Sequence, residues 1–139
     1  MEEFIRSVAI VVFTDDKDVV VQERGAVSKV GEKYGFWGGK IEVGETPEET
    51  IKREIKEEMG FELKNFSYLG SFPYEVKEEC QWKGGKINQE VFISPISEIP
   101  KDVKISEGKG LMKMPIEEVR KGIGFPIGST YFIEPIKFV

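Results

Sequence analysis

The chain contains no histidine. That single absence excludes imidazole bases, Ser-His and Cys-His nucleophile pairs and His-built zinc sites. Acid–base chemistry is left to Glu, Asp, Lys, Tyr or water on a metal. There is one cysteine, Cys80, so neither an internal disulfide nor a thiolate cluster can form. No basic neighbour in sequence lowers its pKa, and the thiol reads as unreactive in a reducing compartment. No apolar run approaches the ~18 residues of a membrane span, and the N-terminus has no long apolar signal region. A soluble, cytoplasmic protein without a membrane partner is expected. Nor is there a surplus of basic charge: 20 Lys and Arg stand against 25 Asp and Glu, a net charge of −5. That balance argues against nucleic acid as a partner, because phosphate backbones select basic faces.

The 139 residues are the size of one ordinary domain, and 40% hydrophobic content supplies a core. A β-branched run from Ile5 to Phe13, a polar turn at 14–18 and a second run from Val19 to Arg24 predict a hairpin. Residues 25–39 hold five glycines without periodicity and read as a loop ending in Phe36-Trp37-Gly38-Gly39. A helix is predicted from Thr46, with Pro47 at its first position, Glu49 completing a capping box and Gly60 as its stop. Strands are expected over Phe66–Val76 and Ile87–Ile96, joined by a turn at 82–86, followed by a short strand at Leu111–Met114 and a short helix at 115–121. The apolar segment 125–139 carries Pro126 and Pro135 and is left open. Interleaved strands and helices with antiparallel hairpins indicate a mixed-sheet α/β or α+β domain.

Of the 25 acidic residues 21 are glutamates, and several fall in one arrangement. Gly39 is followed after five residues by Glu45, and after seven more by Arg53-Glu54-Ile55-Lys56-Glu57-Glu58-Met59-Gly60-Phe61. At helical spacing Ile51, Ile55 and Met59 share a stripe suited to packing on a sheet. Glu54, Glu57 and Glu58 form the adjoining stripe, with Glu54 and Glu58 bordering the core. Carboxylates this close repel, and a hard divalent cation reverses the penalty. Arg53 lies one turn from both Glu49 and Glu57 and can reach Glu45 across the loop. A Glu-rich helix is ordinarily a solvated face, but such a face has no need of fixed spacing to Gly39, Glu45 and Gly60.

The pattern G-x5-E-x7-R-E-U-x-E-E-x-G-U, with Ile55 and Phe61 as the apolar U positions, resembles the box of the Nudix hydrolases. It meets nine constraints within 23 residues. The resemblance implies an α/β/α sandwich with a mixed β-sheet, one domain over 1–139 with its box at 39–61. It also implies Mg²⁺- or Mn²⁺-dependent attack of water on a phosphorus of a nucleoside diphosphate derivative, with a nucleotide as partner. Glu54, Glu57, Glu58, Arg53 and Glu45 are the expected catalytic residues. Metal ligands are expected from Glu54, Glu57, Glu58, the Gly38 carbonyl and a carboxylate outside the box. Glu107 is preferred to Glu90 for that last place because it sits just ahead of the Leu111–Met114 strand.

Phe36-Trp37-Gly38-Gly39-Lys40 and Phe125-Pro126 resemble the members, MutT-like in type, that hydrolyse oxidised purine triphosphates. Phe36, Trp37, Lys40 and Phe125 are accordingly expected at the substrate, with core packing the competing explanation for Trp37 and Phe125. Ile127 and Gly128 stand where such relatives carry acidic residues, a departure from purine-edge recognition. A nucleoside triphosphate is the expected substrate. ADP-ribose, nucleotide sugars and dinucleoside polyphosphates are alternatives, as is a non-catalytic nucleotide-binding module. Dimers are common in the family, so a homodimer is compatible with the resemblance.

Overall fold

A computed structural model of the protein describes residues 4–14, 16–24, 33–77, 84–100, 110–123 and 125. Among them the chain order is β1 (Phe4–Phe13), β2 (Asp18–Glu23), β3 (Tyr34–Gly35), β4 (Trp37–Lys40), α1 (Pro47–Met59), β5 (Ser67–Glu75), β6 (Lys86–Pro95), β7 (Gly110–Pro115) and α2 (Ile116–Lys121). A 3-10 turn at Ile96–Glu98 follows β6. The strands form one mixed sheet in the order β3-β2-β1-β6-β5, with β4 also on β1 and β7 also on β2. β1 and β6 run parallel from Phe4↔Lys86 to Phe13↔Pro95, and the other pairings are antiparallel.

Thr14 fixes the predicted β1–β2 turn: its hydroxyl accepts from Asp18 N at 3.2 Å, and its carbonyl accepts from Lys17 N at 3.2 Å. The predicted strands at 66–76 and 87–96 appear as β5 and β6, and Pro73 is tolerated because β5 is an edge strand. The structure corrects the loop expected at 25–39. Residues 34–35 and 37–40 are strands, because their backbone finds partners on β2 and β1. Glycine content concealed this, since ladder hydrogen bonds do not require side chains.

Alternation along β1 sends Val8, Ile10 and Val12 to one face and Val11 to the other, which is why residues 8–13 are apolar throughout. The first face meets Ile51, Ile55 and Met59 of α1. The second meets Ile116 and Val119 of α2, with Phe125. Helix, sheet and helix therefore form three layers, and the box helix has one face of the sheet as its seat.

Candidate active site

Helix α1 begins where the sequence predicts. Thr46 Oγ1 accepts from Glu49 N at 3.2 Å, while Glu49 Oε1 accepts from Thr46 N at 3.1 Å. At the other end Gly60 takes φ 77°, ψ 13° and donates to the Lys56 carbonyl. With both ends fixed, the helix has a defined rotation. Ile51, Ile55 and Met59 are buried on the sheet, and the predicted flank carries Glu54 and Glu58. The Glu58 residue is only 8% exposed, whereas the Glu57 side chain is 58% exposed.

Arg53 gathers the acidic groups. Its Nε lies 2.7 Å from Glu45 Oε2 and its Nη2 2.9 Å from Glu45 Oε1, a two-pronged pair across the loop. Nη1 donates to Glu54 Oε1 at 3.0 Å and reaches Glu57 Oε2 at 3.3 Å. Nη2 also meets the Lys40 carbonyl at 3.3 Å. Arg53 thus turns to Glu45 rather than to Glu49, which is committed to the cap. Its hydrogen bonds hold the Glu45 carboxyl at a pKa of about 2, helped by the Glu42 amide, and the carboxylate in turn raises the guanidinium's pKa. Thr50, fully buried, lies 3.0 Å from Glu45 Oε1 and 3.0 Å from the Thr46 carbonyl, with one proton to give to either. Sequence reading missed Thr50; its signal was a hydroxyl on the core-side flank, one turn after the cap.

The glycines at the loop's start are explained by distance. A Cβ on Gly39 would stand 2.3 Å from Glu54 Oε1, so the Glu54 carboxylate rests on a bare backbone. A Cβ on Gly38 would stand 2.0 Å from the Val8 carbonyl oxygen. The first glycine of the pattern is therefore the seat of its second acid.

The family model for the NUDIX domain matches residues 3–126. The chain belongs to the Nudix family. It is 35% identical over 65 residues to the 8-oxo-dGTP diphosphatase of Escherichia coli (strain K12), covering 47% of this chain and 50% of that protein. It is 49% identical over 41 residues to the NAD-capped RNA hydrolase NudC of Vibrio vulnificus (strain CMCP6), covering 30% of this chain and 16% of that one. The chain thus spans half or less of these curated relatives in the matched stretches. Among solved structures, a MutT protein from Methanosarcina mazei Go1 superposes with a TM-score of 0.74 at 23% identity, over 96% of this chain and 92% of that one. That likeness establishes a common fold.

Around the Nudix box, the other expected residues separate. Trp37 is corrected from a substrate contact to a core residue: it is fully buried with the α1 cluster, and its Nε1 has no hydrogen-bond partner among the described residues. Phe36 points to the other face, where its ring stacks on Phe125 at 5.5 Å and 23°. Phe125 is a buried core residue, with Tyr34 and Phe36 packed against it. Lys40 is exposed at the end of β4. Glu107, with Ile127 and Gly128, lies outside the described residues.

Glu90 lies on β6 opposite Val8, whose partner on its other side is Gly39. It accepts from Tyr68 Oη at 2.5 Å and lies within hydrogen-bond range of Ser71 and Asn88. That bond leads the causes that raise the Tyr68 hydroxyl to about 12, so it stays a donor at neutral pH.

The box's donor set is all hard oxygen, which fits Mg²⁺ or Mn²⁺ rather than a soft metal. Among the described residues no three acidic groups converge into a ready cage. Glu54 and Glu57 instead turn toward the guanidinium charge, showing that two of the expected ligands already gather around a cation. No helix among the described residues is long and apolar enough to cross a membrane.

Proposed function

We propose that the chain is a Mg²⁺-dependent pyrophosphohydrolase of nucleoside diphosphate derivatives, with a nucleoside triphosphate as the favoured substrate and its monophosphate and pyrophosphate as products. The observation that carries this reading is the Glu45–Arg53–Glu54/Glu57 network seated on Gly39. Its spacing has a purpose only if the helix carboxylates must be held in position. Similarity to an 8-oxo-dGTP diphosphatase supports the triphosphate over the alternatives.

Glu54, Glu57, Glu58 and the Gly38 carbonyl are assigned as metal ligands, with Glu107 as the carboxylate from outside the box. A divalent ion held there would neutralise phosphate oxygens and acidify a water. Arg53 keeps Glu54 and Glu57 from drifting apart, and Glu45 keeps Arg53 from swinging away. Gly39 lets the Glu54 carboxylate lie flat against the strand. Glu54 or another acid of the box takes the proton from the attacking water. The water oxygen bonds to phosphorus as the bridging P–O bond breaks, and the leaving phosphate keeps the bond's electrons. Lys40 supplies a cation to the phosphate chain, and Phe36, the partly exposed member of its stack with Phe125, is assigned to the base.

The test is incubation with nucleoside triphosphates, ADP-ribose and diadenosine polyphosphates, with and without Mg²⁺, with products identified. Metal-dependent release of monophosphate and pyrophosphate from triphosphates is expected. Preference for another class moves the substrate assignment, and absence of turnover on all of them makes the chain a binding module.

A further inference from the structure

Trp37 carries a polar atom that its packing does not use. The side chain is fully buried in the cluster beneath α1, and its Nε1 is enclosed with no hydrogen-bond partner among the described residues. An indole N–H can only donate, and a buried donor without an acceptor is costly. The course of the chain shows what stands above it. β4 ends at Lys40, and the loop at 41–45 returns the chain so that α1 runs back over the strand. Arg53 Nη2 meets the Lys40 carbonyl at 3.3 Å, and Glu54 rests on Gly39. One further helical turn advances about 6 Å and two strand residues cover about 6.6 Å, so the step from Glu54 to Glu58 matches the step from Gly39 to Trp37. Both steps also keep the face, i to i+4 on the helix and i to i+2 on the strand. Glu58 therefore stands over Trp37 as Glu54 stands over Gly39. It is buried too, with its Oε2 enclosed. The other buried polar side chains are committed: Thr14 to Asp18 N, Gln22 to Arg24, Thr50 to Glu45 and Thr46, and Ser94 to the Asn65 carbonyl.

We propose that Trp37 is a positioning residue for Glu58: its Nε1–H, through one enclosed water, holds the inward oxygen Oε2, so that the other oxygen faces the flank shared with Glu54 and Glu57. No direct hydrogen bond joins the two side chains, and a water is the ordinary link between enclosed polar atoms just beyond that reach. The indole thus does more than fill space under the helix. That the outward oxygen is a metal ligand rests on the proposed function; the pairing of indole with carboxylate does not. A hydrogen-bond partner behind a ligating carboxylate fixes its orientation, and losing one weakens metal binding by ~10–100-fold.

The full chain has two tryptophans, Trp37 and Trp82, so nitrogen-15 NMR of the metal-free protein gives two indole N–H signals, and Trp82→Phe identifies the one from Trp37. That signal is expected to show a cross-peak to bound water, to move in Glu58→Gln and to stay in place in Glu117→Gln on α2. In calorimetric titration with Mn²⁺, Trp37→Phe should weaken binding about tenfold. Ile10→Val, which thins the packing beside the indole and keeps its N–H, should bind as wild type. An indole signal without the water cross-peak, or one indifferent to Glu58→Gln, overturns the proposal. So does unchanged Mn²⁺ affinity in Trp37→Phe, or an equal loss in Ile10→Val, which would make packing the cause. The NMR readout decides the matter even if Trp37→Phe does not fold. A chain that binds Mn²⁺ and moves its indole signal but hydrolyses no nucleotide defeats the proposed function and leaves the pairing standing.

Discussion

The two helices flanking the sheet are made in different ways. α1 has 13 residues, a reciprocal capping box, proline at its start and a left-handed glycine at its end. α2 has six residues and no side-chain cap at Pro115, and buries only Ile116 and Val119. Its exposed side carries i, i+3 pairs, Arg120 with Glu117 and Lys121 with Glu118. Such exposed pairs contribute little, ~0–1 kcal/mol each. Six residues are too few to form a helix in isolation, so α2 exists because the sheet accepts it. α1 carries its start and stop signals within its own residues and their immediate neighbours. Both helices end on a left-handed glycine, Gly60 and Gly122, so the difference lies at their starts: only α1, which carries Glu54, Glu57 and Glu58, has its first turn fixed by a side-chain cap.

The sharpest way to break that contrast is to remove the chemistry and leave the helix. Glu58→Gln should lower kcat by ~10²–10⁴-fold, the range of general acid–base and electrostatic contributions. Near-wild-type turnover at saturating Mg²⁺, with an unchanged circular dichroism spectrum, would sink its assigned role. Next comes the packing beneath each helix. Ile55→Ala should destabilise by ~2–5 kcal/mol in urea denaturation, and Val119→Ala by less, because fewer methyl groups leave the core. Equal losses would erase the distinction between the helices.

Gly39→Ala should cost ~1–3 kcal/mol of overpacking, and more in turnover, because the new methyl occupies the place of the Glu54 carboxylate. A fall in stability with unaltered kcat would show that Glu54's seat is not catalytic. Thr46→Ala removes the capping box and should lower stability by ~1 kcal/mol, while Pro115→Ala, having no side-chain cap to lose, should do less.

The smallest effect is in pH. The Glu45 pKa falls from 4.5 to about 2, so its stabilising contribution is fully present above pH 4.5 and disappears as the pH falls toward 2. A side-chain carbon NMR titration should place the midpoint near the lower value in wild type and near 4.5 in Arg53→Ala. A wild-type midpoint near 4.5 would mean that the pair is loose in solution.

These two regions also divide what could be read from the sequence. Thr46, Pro47, Glu49 and Gly60 act within a few residues of themselves, so α1 and its apolar stripe were legible to the residue. The reach of Arg53 to Glu45 was legible too, because a loop of known length returns the chain to the helix. β3 and β4 were not: their partners are distant in sequence, and Gly38 and Gly39 carry no side chains that declare a face. The sequence left Trp37 between core and substrate, and its register with Ile10, which sets it under α1, decides for the core. The seating of Glu54 on Gly39 likewise needs both elements in place, although the spacing alone tied the two residues together.

The parallel ladder between β1 and β6 has a consequence for the order of assembly. It joins Phe4–Phe13 to Lys86–Pro95, and everything between, including the whole Nudix box, is made before the second half of that ladder exists. A chain emerging from the ribosome can cap α1 and pair β1 with β2 and β4 early. It cannot close the centre of its sheet until β6 arrives. The box helix is therefore in place while one long side of β1 is still an open edge, and the late arrival of a single strand supplies the neighbour for β1 and the partner for β5 together.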